Sequence, residues 1–495
     1  MAKRVVIIGG GIAGLSAGIY AQKCGFAATL LERHSMAGGN CTSWKREGYL
    51  FEGSMHWLTG SNPKEPLYKL WRYVGALDEN IPIHYREPYR EYDHQGTPIR
   101  FYRNIALTEK HWLSLAPQDK KEIRKLCKNI RRVQNLSMPI PNLRKVKLSK
   151  KPSYPPLSLL WAALAAWRLL KTLSKVSRDS YIHRFSHEGL QHLLRASTHE
   201  RSGILPLVFT MGTLARGDGG FPEGGSLPFV QRMLKTFTSA GGEILCDTQA
   251  QRVVVENGKA VGVLAAQRHF PADAVIVSSD TMAMDALFET PPQAPWIEQM
   301  RQNAKPTMAT LVSFGLNVNL KNYPKYGVFR LKKPIGLASQ TYKYLSFNNY
   351  AEDAAYSPPG KTVLTFQLGG DSYAHWKQAK TENRYWEEKQ KLADAVMEAL
   401  CAQIPEAVGH IEVWDMATPL TYERYCGTWK GSWMTEMSPK MKMKTYPSVV
   451  PGLLGVYFAG HRMMPPGGLP IALLSGRTAV QYLCRDTHTR FISEE

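Results

Sequence analysis

The residues best suited to chemistry lie near the start of the chain, in a turn of closely spaced glycines. Residues 9–14 read GGGIAG, which is the pattern GxGxxG. Gly9 permits a tight turn, Gly11 lets the backbone approach a pyrophosphate, and Gly14 lets a helix pack closely on a strand. Glu32 follows at the spacing where an acid accepts hydrogen bonds from a ribose diol, which disfavours a 2′-phosphate. These residues predict a bound dinucleotide, and by themselves they do not separate NAD from FAD.

The elements that must position this turn occur in the required order. An apolar run at residues 5–8 predicts a strand, and a helical stretch follows to about residue 23. Gly25 ends that helix, and a second apolar run at residues 28–31 predicts a strand that leads into Glu32. The helix would present backbone N–H groups and the positive end of its dipole to a phosphate.

The seven cysteines are scattered, odd in number and form no CxxC pair. This pattern argues against a disulfide framework and against a zinc site, so no metal is predicted. The N-terminus enters the first strand within a few residues and shows no apolar signal region. We therefore expect a reducing, cytoplasmic location, with peripheral contact to the inner membrane face as a further expectation.

Length and charge limit the classes of protein that the chain can represent. With 495 residues it is too long for one ordinary core, which favours about two to four domains or one nucleotide-binding domain with large insertions. The formal net charge of +21 favours an anionic partner. Residues 119–151 hold 12 Lys and Arg against two acids. No nucleic-acid-binding module accompanies this charge, so an anionic membrane surface is the expected partner.

Two amphipathic segments carry the membrane expectation, and each has an alternative. Residues 121–131 place basic side chains on one helical face, while apolar side chains within 123–133 fall on another. A solvated basic helix would show the same pattern. Residues 155–175 carry an apolar stripe that includes Leu157, Trp161 and Trp167, and the uncharged run is too short to span a bilayer. This segment predicts an interfacial or substrate-gating helix, and a buried core helix with charged ends is the alternative.

A glycine pair follows the acid and distinguishes between the dinucleotides. Gly38 and Gly39 come six residues after Glu32, with an aromatic-acid-Gly element at residues 51–53. This arrangement resembles the GG motif of the flavin amine oxidase and carotenoid desaturase superfamily, which implies FAD. Asn40 stands where that family usually has Arg, so a charged contact to the pyrophosphate is not expected here. A simple surface turn is the alternative interpretation of the pair.

The middle of the chain resembles the family's second contribution to its FAD domain. Residues 221–263 combine a Gly-rich helix start, a helix at 227–238, a strand near 243–246 and a hairpin that turns at Asn257-Gly258. Residues 272–280 predict a buried strand that returns to the nucleotide sheet. In the family the strand near Ala250 lies against the adenine. The similarity is strongest to the branch of bacterial carotenoid desaturases, carotenoid isomerases and retinol saturases, and it runs in order through the whole chain.

The resemblance implies an α/β fold. A doubly wound Rossmann-type FAD domain is interrupted by an α+β substrate domain with an antiparallel sheet and a helical insertion, for which membrane binding is one interpretation. We expect FAD-binding segments at 1–80, 216–290 and 441–495, a helical substrate and membrane-associating region at 81–215, and a substrate domain at 291–440. Residues 308–320, 340–347 and 361–370 predict strands of that domain, and residues 382–400 predict a helix.

A second Gly-rich turn near the C-terminus resembles the family's final FAD segment. A strand at 453–458 ends in Phe-Ala-Gly, a Gly/Pro loop follows, and a helix is expected at 471–483. His461 replaces the family's usual acid, so a neutral or cationic imidazole would meet the phosphate region. Gly468 and Leu469 would lie near the isoalloxazine. No Cys occurs between residues 460 and 477, where relatives with covalent flavin carry one, so non-covalent FAD is expected.

The turns and the resemblance together assign the candidate site. The residues assigned to the cofactor are Gly9, Gly11, Ile12, Ala13, Gly14, Glu32, Arg33, Gly38, Gly39, Asn40, Ala250, Gly460, His461, Gly468, Leu469 and Pro470. His56 and Trp57 follow the GG element, and the family's equivalent segment lies under or beside the flavin, so both are catalytic candidates. A structural role for His56 is the alternative.

The implied function is an FAD-dependent oxidoreductase acting on C=C or C–C bonds of a long apolar polyene or isoprenoid-like lipid. Desaturation, saturation and flavin-mediated isomerisation all stay open, and so does the electron donor or acceptor. One rival is an amine oxidase on a soluble substrate, which the net charge of +21 disfavours. The other is a non-enzymatic prenyl or lipid escort, against which the retained glycines and Glu32 argue.

Overall fold

A parallel sheet of five strands gathers segments from both ends and the middle of the chain. We describe it from a computed structural model covering residues 2–150, 164, 167–198, 202–436 and 444–494. The strand order is Val456–Phe458, Ala274–Val277, Arg4–Ile8, Ala27–Leu31 and Glu243–Leu245. All neighbouring pairs are parallel. The strands come from the three segments expected to bind FAD, and the predicted doubly wound sheet is confirmed.

The two ends of the chain meet through a close helix–helix contact. Helix Ile12–Lys23 packs against helix Leu469–Asp486. A Cβ built on Gly476 would lie 2.3 Å from the carbonyl oxygen of Ala13, so only glycine permits this approach. The Ser16 hydroxyl donates to the carbonyl of Leu473 at 2.8 Å across the same contact. The C-terminal helix is thereby held against the helix that follows the first glycine turn.

A second sheet of seven strands forms the substrate domain. Its order is Ile411–Ala417, Ala309–Leu316, Thr362–Gly369, Gln340–Asn349, Tyr326–Leu337, Arg90–His94 and Thr97–Phe101. The pairs are antiparallel except Arg90–His94 with Tyr326–Leu337, which is parallel. The predicted antiparallel sheet is therefore confirmed, with the three predicted strands in it.

Two of these strands come from the segment 81–215, which was expected to be helical. Tyr92, Ile99 and Phe101 are buried and alternate with more exposed neighbours, as strands require. Gln95 and Gly96 have φ of 55° and 81°, which makes the two-residue turn of a tight hairpin. The sequence analysis did not predict this hairpin, because its charged residues obscure the alternation of apolar and polar side chains that marks a strand.

The remaining strands are short or lie outside the two main sheets. Ala250–Glu256, Lys259–Ala265 and Arg268–Pro271 form a three-stranded antiparallel sheet, and the predicted turn at Asn257-Gly258 is present with φ of 48° and 75°. The two-stranded pairs are Ser43–Arg46 with Tyr49–Glu52, Ile83–His84 with Phe221–Pro222, and Pro306–Thr307 with Met434–Thr435.

Further helices flank the sheets. Their bounds are Pro66–Tyr73, Ile105–Leu115, Lys120–Val133, Arg178–Ile182, Glu188–Ala196, Leu205–Ala215, Ser226–Ser239, Pro295–Asn303, Tyr373–Thr381, Tyr385–Gln403 and Pro419–Cys426. The helix expected at 382–400 is thus Tyr385–Gln403. No helix within the described part of the chain is both long and apolar enough to cross a membrane.

The basic helix Lys120–Val133 has the two faces that its sequence predicted. Ile123, Leu126 and Ile130 are fully buried, while the basic side chains at 121, 124, 125, 128 and 131 are exposed. Its apolar face is therefore part of a core. Most of the amphipathic segment 155–175, including Leu157 and Trp161, lies outside the described residues. Of its described apolar residues, Leu164, Trp167 and Leu170 are exposed, whereas Leu169 and Leu173 are buried.

Candidate cofactor and active site

The carboxyl ends of four parallel strands converge on one edge of the sheet. Arg4–Ile8 leads into the first glycine turn, Ala27–Leu31 into Glu32, Ala274–Val277 into Asp280, and Val456–Phe458 into the second glycine turn. Ligands of such sheets bind outside the carboxyl ends, where the strand order reverses direction. The two glycine turns, more than four hundred residues apart, therefore face one site.

The first glycine turn leaves a gap where a phosphate could lie. Gly9 has φ of +102°, and a Cβ built on Gly14 would lie 1.9 Å from the Gly9 carbonyl oxygen, so both glycines are sterically required. Gly11 differs, since an added Cβ would meet nothing in the described chain nearer than 3.8 Å. Helix Ile12–Lys23 begins at Gly11, and no described side chain caps it. The first-turn N–H groups, including those of Ile12 and Ala13, are thus available to an anion.

The glycine pair lies directly on this turn. The Gly38 N–H donates to the carbonyl of Gly10 at 2.9 Å, and a Cβ built on Gly39 would lie 3.3 Å from the Gly11 Cα. Asn40 donates to the carbonyl of Ser432 at 3.3 Å, and its Oδ1 is buried without a partner among the described residues. The pair therefore forms one wall of the gap at Gly11, and the surface-turn interpretation does not apply.

Glu32 is held in place by backbone donors. Its carboxylate is 6% exposed and accepts from the N–H of Gly10 at 2.6 Å and from that of His34 at 2.8 Å. It borders a cavity of about 460 Å³. The Glu32 carbonyl also accepts from the N–H of Thr248 at 2.8 Å, which brings the start of strand Ala250–Glu256, and with it Ala250, to this end of the site.

The side chain of Arg33 is engaged elsewhere. Its guanidinium donates to the carbonyls of Glu423, at 2.8 Å, and Arg424. These carbonyls belong to the last turn of helix Pro419–Cys426, which needs such donors. We therefore do not retain the Arg33 side chain among the cofactor contacts assigned from the sequence.

The second glycine turn ends at another helix start without a cap. Gly468 precedes helix Leu469–Asp486, no described side chain caps it, and Pro470 occupies its first turn. Gly460 donates its N–H to the Ser475 hydroxyl at 2.9 Å, which ties the turn to the helix. A Cβ built on Gly467 would lie 2.7 Å from Nδ1 of His461, so the imidazole is folded under this turn.

The imidazole of His461 is neutral near pH 7. Both ring nitrogens are buried without a partner among the described residues. Burial, aided by the charge of Arg462, lowers the pKa of His461 to about 4. Of the two protonation states left open by the sequence, the structure favours the neutral one.

A buried ion pair beside His461 was not anticipated from the sequence. Arg462 and Asp280 have side chains 1% and 2% exposed, and Nε lies 2.8 Å from Oδ1. Asp280 also accepts the N–H of Trp429 at 2.9 Å, and Arg462 donates to the Ser432 hydroxyl at 2.6 Å. Burial alone would raise the pKa of Asp280, but Arg462 outweighs it and holds that pKa at about 2. The sequence offered one indication of this pair, since Asp280 is an acid at the end of a predicted parallel strand.

Glu52 of the aromatic-acid-Gly element joins three separate segments. Its buried carboxylate accepts from the N–H groups of Ser54 and Met55, from the N–H and hydroxyl of Ser226, and from the Tyr356 hydroxyl. Ser226 begins helix Ser226–Ser239, and Tyr356 belongs to the substrate domain. Glu52 therefore sets the position of the following residues, which include the two catalytic candidates.

The two catalytic candidates point to different surroundings. The His56 ring lies 6.0 Å from that of Trp433, and the neighbouring Met434 lies 3.7 Å from a Cβ built on Gly468. Burial, with the charge of Arg86, lowers the pKa of His56 to about 4. Trp57 instead contacts Gly219 and packs on the core of the helical insertion. The structure brings His56 toward the second glycine turn and does not bring Trp57 there, so we do not retain Trp57.

Buried polar atoms without partners surround this edge of the sheet. Among the described residues they include Oδ1 of Asn40, Nε1 of Trp433, Nη1 of Arg462 and both ring nitrogens of His56 and of His461. Buried polar atoms in native proteins are almost always hydrogen-bonded, so such a cluster indicates a group that completes the site. The described residues hold no set of three or more His, Cys, Asp or Glu able to bind a metal. The donors present suit a phosphate-containing organic cofactor.

Comparison with protein families and with known sequences identifies the family and several similar proteins. The model of the family described as flavin containing amine oxidoreductase matches residues 12–484. A phytoene desaturase (lycopene-forming) of Pseudescherichia vulneris is 27% identical over 290 residues, which cover 57% of this chain and 56% of that protein. The chain thus spans little more than half of that relative. The all-trans-retinol 13,14-reductase of Danio rerio is 21% identical over 86% of this chain and 76% of its own length.

Solved structures share the fold. Cyclohexylamine oxidase from Brevibacterium oxydans superposes with a TM-score of 0.61 over 99% of this chain and 100% of its own, at 15% identity. At this identity the likeness concerns the architecture alone.

We predict that Asp280→Asn strongly destabilises the protein, because it leaves the Arg462 guanidinium buried without a counter-charge. The free energy of unfolding at pH 7, measured by urea denaturation, should fall by roughly 3–5 kcal/mol. Since the folded-state pKa of Asp280 is lowered to about 2, wild type should keep this contribution above pH 4 and lose it as the pH falls toward 2.

The matched control is Glu398→Gln, which removes the acid of an ion pair whose Lys333 and Glu398 side chains are 86% and 70% exposed. It should change the free energy of unfolding by less than about 1 kcal/mol. Equal effects of the two substitutions would contradict a stabilising role for the buried pair.

Proposed function

Because the chain belongs to the family of flavin containing amine oxidoreductases, we propose that it is an oxidoreductase that uses non-covalently bound FAD. Its proposed substrate is a long apolar polyene or isoprenoid-like lipid, in which it desaturates C–C single bonds or saturates or isomerises C=C double bonds. The observation that carries this proposal is the convergence of both glycine turns and Glu32 on one edge of the parallel sheet. The substrate class rests on the names of the similar proteins.

Each part of the site has a proposed task in holding the cofactor. The N–H groups at the start of helix Ile12–Lys23 bind the pyrophosphate, with Gly11 and Gly39 as the walls of its cradle. Glu32 accepts hydrogen bonds from the adenosine ribose, and Ala250 lies toward the adenine. When bound, the flavin ring supplies two-electron redox chemistry. Non-covalent attachment is supported by the lack of Cys between residues 460 and 477.

The C-terminal turn is proposed to serve the ring end of the cofactor. The uncapped start of helix Leu469–Asp486 offers N–H groups and the positive end of a helix dipole, which favour negative charge there. Neutral His461 replaces an acid, so it adds no charge of its own and can accept or donate one hydrogen bond. His56 is proposed to face the reacting part of the substrate. Its lowered pKa keeps it neutral as well.

The charges near His56 argue against the amine oxidase alternative. Burial and the charge of Arg86 lower the pKa of His56, and Arg90 is buried in the seven-stranded substrate sheet. The positive charges of partly buried Arg86 and buried Arg90 repel an ammonium ion, and a cationic substrate would need an acid or an aromatic cage in their place. The fold shared with amine oxidases does not favour their substrates, because one fold hosts many activities.

Contact with an anionic membrane surface is a further part of the proposal. Helix Lys120–Val133 exposes basic side chains, and Leu164 and Trp167 expose apolar ones. Basic residues at a surface and exposed apolar side chains are the two signals that bind peripheral proteins to anionic lipid. Such contact would deliver an apolar substrate to the site.

We predict that Gly11→Ala abolishes flavin binding without unfolding the protein. The added Cβ causes no clash within the described chain, because the nearest atom lies 3.8 Å from it. It does occupy the space proposed for the pyrophosphate. The flavin absorbance of the purified variant should fall at least tenfold relative to wild type, with the thermal unfolding of the flavin-free proteins unchanged. Gly336→Ala is the control, because an added Cβ also meets open space there and should leave the flavin content unchanged. Full flavin content in Gly11→Ala would refute the proposed cradle.

We predict that a polyene, and not an amine, exchanges electrons with the bound flavin. Oxidised and chemically reduced wild-type protein would be mixed anaerobically with a panel of polyenes, and the flavin spectrum recorded. Bleaching of the oxidised form indicates desaturation, and reoxidation of the reduced form indicates saturation. Isomerisation would appear as a changed product with no net change in the flavin spectrum. If the flavin reacts with simple amines but with none of the polyenes, the proposed substrate class is wrong.

We predict that vesicles containing phosphatidylglycerol pellet the protein, and less so at high salt. Replacing Lys121, Lys125 and Lys128 by Gln should weaken binding by roughly 100-fold, since each lysine at an anionic surface contributes about 1 kcal/mol. The control replaces Lys332, Lys333 and Lys343, which are exposed on the substrate sheet, and removes the same charge. If both triple variants sediment alike, helix Lys120–Val133 is not the contact.

A further inference from the structure

Two arginines share one tyrosine ring inside the substrate domain. The guanidinium carbon of Arg90 lies 4.1 Å from the ring centre of Tyr326 and 5.6 Å from that of Tyr89. The guanidinium carbon of Arg86 lies 4.8 Å from the same Tyr326 ring, and Arg86 donates to Oδ1 of Asn348 at 2.8 Å. We call Arg86, Arg90, Tyr89, Tyr326 and Tyr350 the arginine cluster.

The cluster lacks a counter-charge. Within the described part of the chain, neither Arg86 nor Arg90 has a carboxylate oxygen within 4.0 Å. Nε and Nη1 of Arg90 and the hydroxyl of Tyr350 are buried without a hydrogen-bond partner there. A charge taken out of water is costly unless it is paired, and contact with an aromatic face recovers only part of that cost.

Arg90 stands apart from the other buried arginines of the described chain. Three arginine residues are buried there: Arg90, Arg462 and Arg477. Arg462 is paired with Asp280 at 2.8 Å, and Arg477 with Glu494 at 2.7 Å. The chain therefore supplies an acid wherever it buries a guanidinium for structural reasons, and Arg90 is the exception. An exception of this kind indicates that a ligand supplies the acid.

The position of the cluster points to the substrate. Arg86 donates to Asn348, two residues before Tyr350 in the chain. The His56 ring lies 6.0 Å from that of Trp433, next to the residue that approaches Gly468. Tyr350 stacks on Tyr356 at 4.1 Å, and Tyr356 donates to Glu52, which anchors the segment that carries His56. The cluster is therefore connected through Tyr350, Tyr356 and Glu52 to the segment that carries His56.

We propose that the arginine cluster binds the head group of the substrate and that this head group is a carboxylate. The inference rests on the proposed function and narrows its substrate class to polyene acids. Nε and Nη1 of Arg90 are both free donors, and a charge-assisted hydrogen bond from either of them to a carboxylate oxygen would supply the missing counter-charge. Arg86 adds positive charge without giving up its bond to Asn348.

The test compares two probes with one carbon skeleton, all-trans-retinoic acid and all-trans-retinol, on the flavin-loaded protein at pH 8. Binding is followed by the change in flavin absorbance and in tryptophan fluorescence. Wild type should bind the acid at least tenfold more tightly than the alcohol. Arg90→Gln should weaken binding of the acid at least tenfold and that of the alcohol less than twofold, and Arg90→Lys should restore part of the loss. Flavin content and thermal unfolding establish that each variant is folded.

The control is Arg103→Gln, because Arg103 also stacks on a tyrosine, Tyr85, at 4.2 Å, but donates to the carbonyl of Leu214. It should leave both affinities unchanged. Equal affinity of wild type for acid and alcohol, or binding of neither, overturns the inference even if Arg90→Gln fails to fold. Equal loss of both probes in Arg90→Gln overturns it too. If these tests overturn the head-group inference but the wild-type protein still converts a neutral polyene, the proposed function is retained. If the protein converts no polyene at all, both the inference and the proposed function are wrong.

Discussion

The burial of the Glu52 carboxylate is the constraint on which the rest of the site depends. An acid without a cation beside it can be buried only if donors surround it, and this one receives five hydrogen bonds from three segments of the chain. Those segments are the strand after the glycine pair, the start of helix Ser226–Ser239 and the edge of the substrate domain. Displacement of one segment breaks its hydrogen bonds to the buried carboxylate. One side chain thereby links the proposed cofactor cradle to the substrate domain.

Close backbone contacts then bring the two ends of the chain to the same edge. Gly14 lets the first helix approach its strand, and Gly476 lets the last helix approach the first, to distances at which any larger residue would clash with a carbonyl oxygen. Both helices begin at a glycine with no capping side chain among the described residues. Their free N–H groups thus face the edge where the parallel strands end, and an anionic cofactor satisfies them without any charged side chain of the protein.

The buried charges divide the site into two halves with different tasks. On the sheet side, Asp280 neutralises Arg462, and both nearby histidines have pKa values lowered to about 4, so the protein adds little net charge around the proposed flavin. On the substrate side, Nε and Nη1 of buried Arg90 have no hydrogen-bond partner among the described residues. A site built in this way would disfavour cations and would suit the proposed apolar ligand with an anionic end. Such an asymmetry would let a fold shared with amine oxidases serve the substrate class that we propose.

The sequence by itself determined the features whose cause is local. The GxGxxG turn, its flanking strands, Glu32, the Asn257-Gly258 hairpin and the two faces of helix Lys120–Val133 follow from residue type and spacing, because backbone conformation and burial period act over a few residues. Tertiary structure alone decided which side chains meet. It directed Arg33 to a helix end and Trp57 to the helical core, and it paired Asp280 with Arg462, 182 residues away. It also added the hairpin of Arg90–His94 to the substrate sheet and left Arg90 unpaired among the described residues. These outcomes depend on contacts between segments that are distant in the chain. A local sequence pattern does not show which distant segment will provide a hydrogen-bond or ion-pair partner.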